Sequence, residues 1–244
     1  MTAKYPSTLS SNIPEYVDGL VDRLKTNLLP VLKPYFEQRS VRRVLELSSG
    51  SGIHAALYAK TWPDVLIQPT ECDEWGCEQI DEMVEKEKIE IGRQGKDGAE
   101  VEKAVMLDVL EETGWKNLRA KAESAGEGER GLYDLVLGSN FLHMVPFPDG
   151  PRAIFSNLRL LVSPDAKFLV YGPFKSDEGF FSQADEAFDA SIRSRENGSS
   201  LGLRSIDKLS RLAEEEEWLL EERISMPKMN WVLVFGRKRR NQVL

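Results

Sequence analysis

The chain has 244 residues, 41% of them hydrophobic and 30% charged, so it is long enough to bury a full core as one globular domain. Its formal net charge is −8, and an acidic surface is a poor partner for nucleic acid, whose phosphates need a basic face. Because its apolar runs stay below about 18 residues and its first residues are polar, we predict no membrane span and no signal peptide. We expect a cytoplasmic protein that binds neither nucleic acid nor a membrane.

Apolar residues recur at helical spacing in the first part of the chain, between Pro14 and Gln38. Pro30 and Pro34 are predicted to break this region into at least two helices, because proline lacks the N–H that a helix interior requires. We predict that residues 1–40 are an N-terminal helical segment that forms a lid or lies on the substrate side.

Short apolar strands then alternate with helices. The predicted strands are 41–47, 66–70, 104–107, 133–138 and 167–171, and the predicted helices are 53–60, 74–88, 111–124, 151–161, 182–195 and 205–217. This alternation predicts an α/β fold with a parallel sheet covered by helices on both faces. Only a short turn separates two further strands, 218–225 and 230–236, so they must form an antiparallel hairpin.

The most informative motif is the glycine-containing turn in Val44-Leu-Glu-Leu-Ser-Ser-Gly-Ser-Gly-Ile-His54. Gly50 and Gly52 allow the backbone to approach a ligand, and the next helix start favours an electron-rich one. Glu46 can accept hydrogen bonds from a ligand's ammonium group. Ala55 replaces the third glycine of a dinucleotide motif, and the P-loop ending is missing. The motif predicts a pocket suited to S-adenosylmethionine, with a plain tight turn as the alternative.

Further polar residues lie where the other strands end, at the edge where ligands bind in such sheets. Glu71 can accept hydrogen bonds from both ribose hydroxyls, whereas Asp73 can instead cap the next helix. Asp108 can accept a hydrogen bond from the adenine amino group or cap a helix. His54 is expected to pack at its helix start or contact the ligand. The predicted cofactor-binding residues are Glu46, Ser48, Gly50, Gly52, His54, Glu71, Asp108 and Asn140.

Two residues are candidates for catalysis. His143 and Tyr171 could orient a methyl acceptor or take its proton, although His143 could equally be a structural histidine packed under the sheet edge. The stretch from Tyr171 to Phe181 carries several aromatic side chains and is predicted to be a lid or substrate wall, with an ordinary turn as the alternative. Cys72 and Cys77, with few other soft ligands nearby, predict no metal site.

At these positions the chain resembles the methyltransferase-like protein 26 family, whose members largely lack an assigned substrate. The resemblance runs from about Arg43 to Arg237 and lies in the glycine turn and in Gln68-Pro-Thr-Glu71, Leu107-Asp-Val109, Asn140-Phe-Leu-His143, Tyr171-Gly-Pro-Phe174, Ala187-Phe-Asp189, Ser191-Ile-Arg193 and Met226-Pro-Lys-Met-Asn230. It implies a Rossmann-like class I methyltransferase fold. That fold has a mostly parallel seven-stranded sheet, a C-terminal antiparallel hairpin and N-terminal helices, with residues 41–244 as the methyltransferase-like domain.

The resemblance also implies S-adenosylmethionine as the cofactor. The predicted substrate-side residues are Phe174, Phe180, Arg193 and Asn230. Two departures from the family pattern concern the substrate side. The region from Ser11 to Tyr16 does not match the family's polar N-terminal segment, and Met229 stands where the family has an asparagine. Both suggest a different substrate or the loss of methyl transfer.

Three functions from different classes follow. The leading hypothesis is an S-adenosylmethionine-dependent methyltransferase that acts on a small molecule. The second is a methyltransferase fold repurposed as a cyclase or isomerase, for example a pericyclase, in secondary metabolism, because a fold does not determine its chemistry. The third is a non-catalytic interaction module. The sequence makes no prediction of the oligomeric state.

Overall fold

The computed structural model describes residues 21–37, 41–93, 100–126 and 131–238. The strands are β1 Arg43–Leu47, β2 Leu66–Glu71, β3 Val105–Met106, β4 Tyr133–Ser139, β5 Val162–Pro173, β6 Trp218–Met226 and β7 Asn230–Arg237. The helices are α1 Leu29–Glu37, α2 Ile53–Thr61, α3 Glu74–Arg93, α4 Glu112–Ala125, α5 Asp149–Leu158, α6 Gln183–Arg193 and α7 Ile206–Glu215. Within these ranges, none of the helices combines the length and apolar character that crossing a bilayer would require.

The strands form one seven-stranded sheet in the order β3-β2-β1-β4-β5-β7-β6. Pairing is parallel from β3 through β5, whereas β7 runs antiparallel to both β5 and β6. The predicted mostly parallel sheet with a terminal hairpin is confirmed. The strand order reverses between β1 and β4, and the carboxyl ends of strands at such a point border the crevice where ligands bind.

Helices cover both faces of the sheet, and the alternation along β1 shows how the core divides. Leu45 and Leu47 belong to the apolar cluster that includes residues of α4, α5 and α7. Val44 belongs to the cluster that includes residues of α1, α2 and α3. Because successive side chains of a strand point to opposite faces, Glu46 lies on the same face as Val44, under α2.

The two N-terminal prolines do not break the helix. A π-helical turn, Leu24–Leu28, runs directly into α1, and Pro34 lies inside α1. The widened turn lets the chain pass Pro30, which has no N–H to donate, without ending the helix. Leu28 and Leu32 are buried against the sheet, so tertiary packing overrides the local preference. The remaining parts of the predicted segment, including Ser11–Tyr16, lie outside the described residues.

β5 is longer than its apolar run predicts. Its first residue, Val162, pairs with Tyr133 of β4, and its last, Pro173, pairs with Asn230 of β7. Pairing with neighbours on both sides extends the strand beyond its most apolar residues. As a result Tyr171 belongs to the sheet, and the predicted aromatic loop begins only after Pro173.

Candidate functional site

The turn between β1 and α2 follows a left-handed course and is fastened to β2. Positive φ angles occur at Ser48 (55°), Gly50 (59°) and Gly52 (77°). The Ser49 N–H donates to the Thr70 carbonyl at 2.8 Å, and the Thr70 hydroxyl donates to the Glu46 carbonyl at 2.9 Å. Thr70 therefore holds the turn in place. The sequence analysis missed it because it lies inside a strand and forms no local motif with the turn.

The two glycines of the turn have different roles. A Cβ atom added to Gly50 would meet no described residue within 4 Å. A Cβ atom added to Gly52 would lie 3.1 Å from the Cα of Ile80 on α3. The prediction that both glycines make room for a ligand is therefore corrected. Gly50 faces open space, whereas Gly52 allows α3 to pack closely against the turn.

Glu71, at the end of β2, lies against the glycine turn. Its carboxylate accepts the Gly50 N–H at 2.9 Å and the Cys72 N–H at 2.7 Å. Each carboxylate oxygen has a second lone pair, so both can still accept hydrogen bonds from a ligand. The Asp73 carboxylate accepts the Gly76 N–H at 2.7 Å at the start of α3. Asp73 is thus the helix cap, and Glu71 is the acid beside the turn.

Glu46 is buried with a carboxyl oxygen that lacks a partner. Its side chain is 2% exposed, and its Oε1 lies 3.7 Å from His54 Nδ1. Among the described residues, no hydrogen-bond partner reaches its buried Oε2. Burial, with a smaller contribution from the charge of Glu71, raises the pKa of Glu46 to about 8. Burial lowers the pKa of His54 to about 4, so both groups are mostly uncharged at pH 7 and do not form an ion pair.

Asp108 lies beyond β3 in an exposed turn. Its carboxylate accepts the Leu110 N–H at 3.0 Å, and its carbonyl accepts the Glu111 N–H at 3.0 Å. The N-cap of α4 is Glu111, so the alternative reading of Asp108 as that helix cap is wrong. Its exposed carboxylate can accept a further hydrogen bond from a ligand.

The end of β4 meets the end of β5 beside α1. Asn140 has a φ of 54°, and its N–H donates to the Tyr171 carbonyl at 2.8 Å. Tyr171 lines a cavity of about 10 Å³, room for roughly one water, together with Leu28, Leu32, Leu137, Leu169, Val232, Tyr58, Gly138 and Ser139. Burial raises the pKa of Tyr171, so its phenol stays neutral and can donate a hydrogen bond. The N-terminal helical region therefore packs beside this predicted catalytic residue.

His143 lies in the short 3₁₀ turn Leu142–Met144 and is 8% exposed. The Phe188 ring of α6 meets it edge-on, with ring centroids 5.2 Å apart. Burial, reinforced by the charges of Arg204 and Arg195, lowers the pKa of His143 to about 4. The imidazole is therefore neutral above pH 5 and a weak base. Its burial and its contact with Phe188 match the structural histidine that the sequence offered as the alternative.

Arg204 fixes the turn that carries His143. It is 4% exposed, and its guanidinium donates to the carbonyls of Leu142 at 3.0 Å and Ser200 at 3.1 Å and to that of Val145. The sequence analysis missed this residue because its partners are about 60 positions away in two cases. A buried arginine that donates to several backbone carbonyls holds the backbone in position and takes no part in a reaction.

Arg204→Lys is expected to lower the free energy of unfolding by about 2 kcal/mol, because a single ammonium cannot replace the forked contacts to separate carbonyls. Urea denaturation at pH 7 measures the loss. Arg211→Lys is the matched control, since Arg211 pairs with Asp177 at an exposed position. An equal loss in both variants would contradict the assigned role of Arg204.

Two predicted substrate-side residues are held within the fold. Phe174 is 2% exposed and belongs to the apolar cluster beneath α5 and α7, so its substrate-side assignment is wrong. It follows β5 directly, and the chain there turns into the core. Arg193 is also corrected, because its guanidinium binds the Asp189 carboxylate at 2.7 Å and the Ser199 carbonyl at 3.1 Å. These contacts hold the end of α6 to the following turn.

Phe180 and Asn230 remain at the carboxyl edge of the sheet. Phe180 is half-buried, with the Lys175 ammonium 4.7 Å from its ring centroid. Asn230 pairs with Pro173 at the end of β5, and its amide donates to the Pro227 carbonyl at 3.2 Å. Met229, where the resemblance predicted an asparagine, has a φ of 56° and is 54% exposed. Asparagine tolerates that backbone conformation better than methionine does.

The thiols and acids form no metal centre in the described ranges. No group of three or more His, Cys, Asp and Glu side chains there is arranged to hold a metal ion. Cys72 and Cys77 are free, and burial, the largest contribution, raises their pKa values to about 12 and about 11. Thiols with raised pKa values are poor nucleophiles at neutral pH.

Comparisons with known proteins agree with this fold. A family model described as "Protein of unknown function (DUF938)" matches residues 18–237. An O-methyltransferase family protein from Burkholderia thailandensis superposes with a TM-score of 0.64 at 15% identity, over 94% of this chain and 62% of that chain. Human N-acetylserotonin methyltransferase, solved in complex with S-adenosylmethionine, gives a TM-score of 0.63 at 10% identity, over 92% and 55%.

A protein of matching length is also similar. The PH0226 protein from Pyrococcus horikoshii OT3 gives a TM-score of 0.59 at 14% identity, over 96% of both chains. By contrast, the chain spans only 62% and 55% of the lengths of the two methyltransferases. At these identities the similarity establishes the Rossmann-like class I methyltransferase fold.

Proposed function

The chain belongs to the family described as "Protein of unknown function (DUF938)", and we propose that it is an S-adenosylmethionine-dependent methyltransferase acting on a small molecule. The observation that carries the proposal is the buried Oε2 of Glu46, which has no hydrogen-bond partner in the part of the chain that the structure describes. A buried carboxyl oxygen without a partner is costly, and a ligand's ammonium group would satisfy it. The open space at Gly50 and the carboxylate of Glu71 beside it supply the neighbouring contacts of the same ligand.

The residues at the edge of the sheet fit the successive parts of this cofactor. Glu46 would bind the ammonium of the methionine part, and Asn140 would flank it. Glu71 would accept hydrogen bonds from the ribose hydroxyls, and Asp108 would accept one from the adenine amino group. When bound, the cofactor would supply an activated methyl group on a sulfonium. Ser48 and His54, which flank the two glycines of the turn, would also contact the cofactor.

The protein's own contribution to the reaction would be positioning. Rates of such transfers depend on holding donor and acceptor in line at near-attack distance. Tyr171, whose backbone carbonyl accepts the Asn140 N–H and whose phenol is neutral, would donate a hydrogen bond to the acceptor. The neutral imidazole of His143 can accept one, but its low pKa makes full proton removal a minor role.

His143→Ala is expected to lower kcat about 10-fold, the value of one lost hydrogen bond, with cofactor affinity unchanged. With a pKa of about 4, His143 is neutral on both sides of pH 6, so it should add no inflection to the kcat profile between pH 5 and 8. Kinetics of the purified variants would measure this, with His143→Asn retaining part of the hydrogen bonding. An inflection near pH 6.5 that His143→Ala removes would contradict the assignment.

Calorimetry with S-adenosylmethionine and S-adenosylhomocysteine tests the function directly. Binding of both, followed by the gain of one methyl group in a product detected by mass spectrometry, is the expected result. A product of unchanged mass, formed with or without the donor, would favour the cyclase or isomerase alternative. If neither S-adenosylmethionine nor S-adenosylhomocysteine binds, the non-catalytic interaction module is favoured.

The acidic charge supports a small-molecule acceptor over nucleic acid. The packing of Leu28 and Leu32 beside Tyr171 supports a lid or substrate-side role for residues 1–40, ahead of the domain at 41–244. The finer resemblance to the methyltransferase-like protein 26 family, a cytoplasmic location and a place in secondary metabolism stay predictions.

A further inference from the structure

Two pairs of contacting aromatic rings contribute to the surface at the carboxyl edge of the sheet, one pair beyond β4 and one on β7. Phe181, just before α6, contacts Trp231 of β7, with ring centroids 5.5 Å apart. Phe188, in α6, contacts His143 beyond β4, with centroids 5.2 Å apart. Because β5 lies between β4 and β7, the segment joining these contacts spans the end of β5 as well. We name this surface the acceptor wall and define it as His143, Phe180, Phe181, Phe188 and Trp231.

The acceptor wall is incompletely covered. Phe181 is 38% exposed and Phe188 is 39% exposed. The indole N–H of Trp231 is buried and has no hydrogen-bond acceptor among the residues that the structure describes. An oxygen that reached this N–H after a shift of Phe181 would recover a hydrogen bond that the protein alone does not make. Exposed aromatic rings next to a binding edge are typical of a ligand surface.

Two cationic side chains without an ion-pair partner among the described residues lie next to the acceptor wall. The Lys175 ammonium lies over Phe180, and within the described ranges no carboxylate lies close enough for an ion pair. Arg195, just past α6, contacts the sulfur of Met144 at 3.8 Å and likewise has no carboxylate partner there. Other arginines of this acidic chain do have such partners, among them Arg152, Arg159, Arg193, Arg211 and Arg223.

We propose that the acceptor wall binds the methyl acceptor and that this acceptor is an aromatic anion, an aryl carboxylate or a phenolate. The inference rests on the proposed function, because it names the acceptor of that reaction. Aromatic side chains favour a planar ring through offset stacking or edge contacts. Lys175 and Arg195 favour an anion over a neutral molecule or a cation, because neither forms an ion pair with a described carboxylate. Arg193 does not contribute, since Asp189 already holds it.

The proposal is tested with the full chain saturated with S-adenosylhomocysteine and three probes: 1-hydroxy-2-naphthoate, the neutral 1-naphthol and the non-aromatic cyclohexanecarboxylate. Titration calorimetry gives each Kd. The naphthoate is expected to bind at least about 10-fold more tightly than either of the others, because it alone has both the ring and the carboxylate. Equal affinities for the three probes would overturn the inference.

Two variants locate the binding site. Phe188→Ala and Lys175→Met are each expected to weaken naphthoate binding about 10-fold and to leave the Kd of S-adenosylhomocysteine unchanged. Lys116→Met, which removes the same charge from exposed α4 on another part of the surface, is the matched control and should change neither affinity. Naphthoate binding that survives both Phe188→Ala and Lys175→Met would overturn the assignment of the site.

The separate titration of S-adenosylhomocysteine distinguishes a wrong acceptor class from a wrong proposed function. If it binds and the naphthoate does not, the acceptor class is wrong and the proposed function stands. If it fails to bind, the proposed function fails. Naphthoate binding that still depends on Phe188 would then leave the wall as a binding site for an aromatic anion and overturn its role as a methyl-acceptor site.

Discussion

Glu46→Gln is expected to weaken S-adenosylhomocysteine binding about 100-fold, or about 2.7 kcal/mol, because the amide removes the charge that would face the ligand's ammonium while keeping the side chain's size. Calorimetry at pH 8 measures the change. Glu123→Gln, the same substitution at an exposed position of α4, is the matched control and should leave the affinity unchanged.

The affinity of the unsubstituted protein should also depend on pH. With a pKa of about 8, the Glu46 carboxyl is mostly protonated at pH 7 and must release its proton when a cation binds. Affinity is therefore expected to rise with pH up to about 8 and then level off, whereas the glutamine variant should show no such rise. Binding heats in two buffers of different ionisation enthalpy would count the released proton. The same slope in both proteins would contradict a role for Glu46 in binding the ammonium.

The stability of the unsubstituted protein should fall as the pH rises, whereas its affinity for the ligand should increase. The folded pKa of Glu46 lies above the ordinary 4.5, so its contribution to stability is fully present below pH 4.5 and is lost as pH rises through about 8. Glu46→Gln lacks this titration, so its Tm is expected to rise relative to the unsubstituted protein across that window. Lower affinity combined with higher stability is the signature of a buried acid retained for ligand binding.

Gly50→Val is expected to weaken S-adenosylhomocysteine binding at least about 100-fold, because its side chain would occupy the open space beside Glu71. Its free energy of unfolding should fall by only about 1–2 kcal/mol, the cost of a left-handed backbone for a residue with a Cβ. Because φ at Gly50 is 59°, valine would be strained there even where its side chain has room.

Gly52→Ala is the matched variant and should separate the two roles. Its Cβ would meet Ile80 at 3.1 Å, so we expect a loss of about 2–4 kcal/mol in stability from strain and overpacking together. The affinity of the folded fraction should change much less than in Gly50→Val. Urea denaturation and calorimetry give the two quantities. Unchanged binding in Gly50→Val would remove the glycine turn from the candidate site.

The order and type of most elements could be predicted because they depend on short-range patterns. The apolar strands, the intervening helices and the terminal hairpin followed from periodicity and from the length of one turn. The prolines at 30 and 34 show the limit. Their local preference predicted a break, but burial of Leu28 and Leu32 against the sheet kept the helix continuous. β5 likewise took its length from its neighbours.

The candidate site divides in the same way. The sequence by itself determined the glycine turn, Glu46 at the end of one strand and Glu71 at the end of the next, because parallel strands bring their carboxyl ends together. Only the tertiary structure decided that Gly52 serves packing against Ile80, that Phe174 lies in the core, and that Arg193 and Arg204 hold backbone and side chains of the fold. These roles depend on which atoms meet across distant positions of the chain. Burial of that kind raises the pKa of Glu46 and leaves one of its oxygens without a partner among the described residues, and no local pattern encodes it.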